Sequence, residues 1–234
     1  MIAPLWLDPD AALPAPPYAG PLVLQIDPGS AAAMRIASQA GSSPDDLAAF
    51  AHRADAQARI QRRQIARVLI AKLAGIHPDL VRFGRSELGA PLIEAPTGWH
   101  VSFSGRGRCC LIGLARQPIG VDIEPEDADL PPSDALTASE QARLEDMPAR
   151  EALIMWLAKE AHAKRIGQAS AIEPQQIETE RAADGVWAHS PRHRSHCWVR
   201  HAGGAVAAVA LAAVAEVRPS PDRSRVGTTY STDR

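Results

Sequence analysis

The chain has 234 residues, 46% hydrophobic and 4% aromatic, with a formal net charge of -2. That length fits one large domain or two small ones, with a core built mainly from Ala, Leu, Val and Ile. The missing basic excess excludes general nucleic-acid affinity, so any anion site must be a local cluster of Arg and Lys. Cys109, Cys110 and Cys197 are sparse and odd in number, and the two neighbours point to opposite faces of a strand. Reduced thiols in a cytoplasmic protein are expected. The N-terminus lacks a basic segment and its apolar run is cut by Asp8, Pro9 and Asp10, which is no signal peptide. The longest apolar stretch, 203–217, is short of the roughly 20 residues a membrane helix needs, so a soluble protein is expected.

In chain order, a Pro-rich segment over 9–21 leads into a predicted strand over 22–26. Helical periodicity follows from 43 to 75, with Ile65, Val68, Leu69 and Leu73 on one face and Arg63 and Arg67 on another. Gly75 and Pro78 stop it. Strands are predicted over 80–83, 98–104 and 109–115, the last two joined as a hairpin across Gly105-Arg106-Gly107-Arg108. The pattern restarts with a strand over 119–124, then a Pro-rich loop over 125–133. Thr137-Ala138-Ser139-Glu140 fits a capping box. A longer helix is predicted over 149–166, then strands over 185–188, 196–201 and 204–215. The sequence around Ala71-Lys72-Leu73-Ala74-Gly75 echoes Ala163-Lys164-Arg165-Ile166-Gly167. The expectation is an α+β fold of two similar lobes, 1–116 and 117–217, each a long helix on a small, mostly antiparallel sheet. Residues 218–234 have almost no apolar content and read as a disordered tail.

Asp122 and Glu124, two apart on a strand, project from one face while Val121 and Ile123 pack on the other. Two such carboxylates suit a hard cation such as Mg²⁺, and equally suit the wet face of a half-exposed strand. On the helix, Trp156, Glu160 and Lys164 form one stripe with Lys159 alongside, able to add a carboxylate and grip a diphosphate.

Together, Ile119-Gly120-Val121-Asp122-Ile123-Glu124 and, about thirty residues on, Trp156-Leu157-Ala158-Lys159-Glu160-Ala161-His162-Ala163-Lys164 resemble the two signature motifs of the 4′-phosphopantetheinyl transferases of the surfactin-synthetase-activating type. Upstream, residues 62–71 resemble that family's Arg-bearing helix, Gly89-Ala90-Pro91 its Gly-Lys-Pro turn, and Ser102-Phe103-Ser104 its Ser-His-Ser segment. The resemblance implies a monomeric enzyme of two similar α/β lobes with coenzyme A in the cleft between them. It implies Asp122, Glu124 and Glu160 as Mg²⁺ ligands, and Glu160 and Lys164 as catalytic groups. Arg67, Lys159, Lys164, Ser102 and Ser104 are implied to bind coenzyme A. The implied reaction transfers phosphopantetheine to a serine of an apo acyl, peptidyl or aryl carrier protein and releases 3′,5′-ADP. A catalytically degenerate homologue that only binds carrier proteins is the alternative.

Two residues depart from the family pattern. Ala90 stands for Lys and Phe103 for His, and neither can hydrogen-bond the 3′-phosphate that those residues lie near. Arg63, Arg67, Arg82, Arg85, Arg106 and Arg108 are possible substitutes, Arg67 foremost because it matches the Arg of the family helix. Phe103 has a second reading as a platform for adenine. His189, His193, His196, Cys197 and His201 match no paired zinc-ligand spacing.

Overall fold

The computed structural model describes residues 2–15, 18–144 and 148–213, so the tail expected over 218–234 lies outside the described residues. Chain order runs β1 (Leu5–Leu7), β2 (Leu22–Ile26), α1 (Ala31–Ala37), α2 (Pro44–Phe50), α3 (Ala56–Ala74), β3 (Arg82–Arg85), β4 (Pro91–Ala95), β5 (His100–Arg106) and β6 (Cys109–Ala115). It continues with β7 (Ile119–Pro125), α4 (Ala138–Leu144), α5 (Ala149–Arg165), β8 (Glu178–Ala182), β9 (Gly185–Ser190), β10 (His193–Ala202) and β11 (Ala205–Ala212). The fold is α+β with small, mainly antiparallel sheets.

One sheet has the order β1-β2-β6-β5, with β1 and β2 parallel and the other pairs antiparallel. The second is an antiparallel sheet of order β7-β11-β10-β9-β8, and β3 and β4 form a separate hairpin. α3 lays Ile65, Ala66, Leu69, Ile70 and Leu73 on Leu22, Leu24, Ile112 and Leu114 of the first sheet. α5 lays Leu153, Ile154, Leu157 and Ala161 on Val186, Ala188, Val206 and Ala208 of the second. Between the sheets, Val23 and Leu111 meet Ile119, Val121, Ile123, Val209 and Leu211. Burying each such large aliphatic side chain contributes about 1.5–3 kcal/mol before entropy is counted.

Local signals set the element ends. Gly75 takes φ 67 at the end of α3, a left-handed conformation that glycine adopts at no steric cost. The capping box at α4 forms as read: Thr137 N donates to Glu140 Oε2 at 2.8 Å and Glu140 N to Thr137 Oγ1 at 3.2 Å. The helical stretch over 43–75 divides, because Ser43 caps α2 through Asp45 N and a turn intervenes before α3.

Two edge strands meet where the sheets come together. β5 ends one sheet and β7 ends the other. Serine side chains join them: Val121 N donates to Ser102 Oγ at 3.1 Å, and Ser104 Oγ donates to Asp122 Oδ1 at 2.7 Å. Among the described residues no helix is long and apolar enough to cross a membrane.

Candidate active site

α5 can approach β7 closely because position 120 is glycine. A Cβ there would lie 1.8 Å from Ala161 O and 2.5 Å from Arg165 N. With α5 pressed on this strand, Glu160 comes to the face from which Asp122 and Glu124 project. Burial raises the pKa of Glu160 first, and the charges of Asp122 and Glu124 add to it. Burial likewise raises that of Glu124, followed by Asp122. Both shifts oppose ionisation, as expected of like charges crowded in a partly dry site.

Lys164, one turn beyond Glu160, sets its Nζ 2.6 Å from Asp122 Oδ1 and 3.3 Å from Ser104 Oγ. Arg106 Nε is 3.1 Å from Glu124 Oε2. For Glu160, no hydrogen bond or ion pair is found among the described residues. No three His, Cys, Asp or Glu among the described residues are drawn together as a closed metal cluster. The donor set nevertheless fits a hard divalent cation: three carboxylates, two with raised proton affinity, beside a displaceable ammonium.

From Lys164 and Ser104 a cavity of about 330 Å³ runs to Arg59, Arg62, Arg63 and Arg85, with Phe50, Phe103, Gly89 and Pro91 in its walls. Asp55 also lines it, but is bonded to Arg59 and Arg53. A Cβ on Gly105 would lie 2.7 Å from Arg62 Nη1, so glycine there leaves room for that guanidinium. A second cavity of about 360 Å³ opens on the other side of Glu124, lined by Arg106, Leu130, Pro131, Pro132, Leu153 and Trp156 among others. Trp156 is half-buried in the wall of this second cavity.

Three expected coenzyme-binding residues sit elsewhere. Lys159 is fully buried, with Nζ 2.6 Å from Glu140 Oε2, 2.9 Å from Ala135 O and 3.0 Å from Pro174 O. All three ammonium donors are thereby occupied, and Lys159 ties α5 to α4. Ser102 is buried with its hydroxyl on the β7 backbone. Arg67 is also buried: it lies 2.5 Å from Asp46 Oδ2 and donates to Val81 O. Of the other arginines considered, Arg106 lies on Glu124, and Arg108 donates to Asp27. Arg82 is exposed on β3, away from the site. Arg59, Arg62 and Phe50 line the cavity without having been singled out in the sequence; their signal was one helical turn of Arg59, Arg62 and Arg63.

Two comparisons with known proteins find similar sequences. The sequence model of the 4′-phosphopantetheinyl transferase superfamily matches residues 118–214, which contain both the acidic strand and α5. Residues 118–214 are thus similar to that superfamily. A 4′-phosphopantetheinyl transferase of Bacillus subtilis is 27% identical over 158 residues, covering 64% of this chain and 70% of the relative.

Proposed function

We propose that this protein transfers the 4′-phosphopantetheine arm of coenzyme A to a carrier-protein serine, with Mg²⁺ as cofactor. The observation that carries the reading is the meeting of Asp122, Glu124, Glu160 and Lys164 at the mouth of an arginine-lined cavity. Such a constellation serves a substrate with a diphosphate at one end and further negative charge at the other. The arginines also answer the loss of the family's basic residues at positions 90 and 103, which was the ground for a purely carrier-binding homologue.

Asp122, Glu124 and Glu160 would hold Mg²⁺, which supplies charge neutralisation on the diphosphate. The serine oxygen attacks the β-phosphorus, forming the new P–O bond as the bond to the bridging oxygen breaks. Glu160, its proton affinity raised by burial, accepts the serine proton. The bridging oxygen leaves with 3′,5′-ADP, and Lys164 is placed to stabilise its charge or give it a proton. Ser104 orients Asp122 and Lys164 through its hydroxyl. On this reading residues 1–116 and 117–217 act as two lobes flanking the nucleotide. The enzyme works as a cytoplasmic monomer of the holo-carrier-protein synthase type.

Incubation of an apo carrier protein with coenzyme A and Mg²⁺ tests the reading. A gain of one phosphopantetheine residue mass is expected, absent without Mg²⁺. Binding of the carrier protein with no mass gain would favour the degenerate homologue.

A further inference from the structure

Arg63 reaches the cavity through a group of aromatic rings. Its guanidinium carbon lies 4.5 Å from the ring centre of Phe83, 5.6 Å from that of Phe50 and 5.8 Å from that of Phe103. Phe83 and Phe103 meet edge to face, with centroids 6.3 Å apart. The arginine is 5% exposed, yet no carboxylate among the described residues grips it closely. Asp46 Oδ1 is 3.8 Å away, while Asp46 Oδ2 is 2.5 Å from Arg67. Arg67 therefore answers most of the acid's charge and leaves that of Arg63 available at the cavity wall. Burial lowers the pKa of Arg63 to about 10, which keeps it cationic at neutral pH.

Resting on the coenzyme A reading above, in which the arginine end of the cavity takes the 3′-phosphomonoester, we propose that Phe103 is a positioning residue that cages Arg63 with Phe50 and Phe83. Coenzyme A has two anionic centres. Its diphosphate belongs with Lys164 and the carboxylates, which leaves the 3′-phosphate for the arginine end of the same cavity. Phe103 cannot donate to a phosphate, but its ring face attracts a guanidinium and limits the rotamers Arg63 visits. A long side chain ordered before binding loses less entropy on binding. This assigns Phe103 to Arg63 rather than to adenine.

The test compares Phe103→Leu, Phe103→Tyr, Phe50→Leu and Arg63→Ala. The readouts are steady-state kinetics with coenzyme A and 3′-dephospho-coenzyme A, and calorimetric binding of 3′,5′-ADP and 5′-AMP. Phe103→Leu should weaken 3′,5′-ADP binding and raise KM for coenzyme A about five- to tenfold, with kcat and the dephospho substrate unaffected. Phe103→Tyr should restore wild-type values, and Phe50→Leu should shift in the same direction as Phe103→Leu. In an Arg63→Ala background, Phe103→Leu should add nothing. Equal losses for both substrates, or the same loss with Arg63 already removed, would overturn the cage. A wild type that binds 3′,5′-ADP no better than 5′-AMP would overturn the phosphate assignment. Failure of wild type to transfer from either substrate would instead sink the transferase reading, with calorimetry still testing the cage.

Discussion

Lys164 Nζ stands 2.6 Å from Asp122 Oδ1 and so places a positive charge among three carboxylates. Beside it the pKa values of Glu124 and Glu160 are raised, by burial first and by the neighbouring carboxylates second. Burial and like charge thus both oppose ionisation at this face.

A carboxylate whose ionisation is opposed in this way makes stability and activity separable. Glu160→Gln removes one of the mutually repelling charges while keeping shape. In EDTA it should match or exceed wild type in thermal stability, yet transfer should fall at least about a hundredfold. Differential scanning calorimetry beside the transfer assay checks both, and a clear fall in Tm would show that Glu160 is a structural partner.

Cation binding should release protons, because carboxylates with raised pKa must be ionised to ligate. Mg²⁺ affinity should rise as pH rises through and above the ordinary carboxylate range. Calorimetry in two buffers of different ionisation enthalpy should report the protons directly. A pH-independent affinity would count against Glu124 and Glu160 as ligands.

Lys159 should matter to folding and not to coenzyme A binding. Removing one partner of the buried Lys159–Glu140 pair strands a charge, at a cost of about 3–5 kcal/mol. Lys159→Met should lower stability on that scale, and Lys159→Met with Glu140→Gln should recover part of it. Variants that remain folded should keep the KM for coenzyme A; a large rise in KM with unchanged stability would return Lys159 to the phosphate site.

His162 gives the fold a pH dependence. It is buried between Ser195 Oγ at 2.6 Å and Ser190 Oγ at 3.0 Å, and burial, then Arg165, lowers its pKa from 6.5 to about 3. The unfolded chain takes up a proton below 6.5 while the folded chain does not. Its contribution is therefore complete above that pH and is lost on acidification toward 3. Between pH 6 and 5 the slope should approach about 1.4 kcal/mol per pH unit, and His162→Gln should flatten it. Urea unfolding of both proteins across that range checks the difference, in which contributions common to both cancel.

The sequence carried the acidic strand and the Glu160–Lys164 stripe because alternation on a strand and four-residue spacing on a helix fix which side chains share a face. Lys159 is adjacent to Glu160 and so turned about 100° from it. Only the buried Glu140, on another element, decides what that face meets. Arg67 stood foremost among the arginines for a similar reason, because only Asp46, on α2, shows that it is drawn inward. β1 has three residues and β8 reads Glu-Thr-Glu-Arg-Ala, too short and too polar to show a strand pattern. Gly120 lay inside a motif, but the contact that requires glycine comes from α5.

The central claim is tested most directly by intact-mass spectrometry of an apo carrier protein incubated with coenzyme A, Mg²⁺ and either wild type or Asp122→Asn. Asn preserves an acceptor for Ser104 while removing the charge that Lys164 and a cation share. The account predicts one phosphopantetheine residue added by wild type, and at least about a hundredfold less by the variant at equal fold stability. Transfer by Asp122→Asn at a rate near wild type would contradict it.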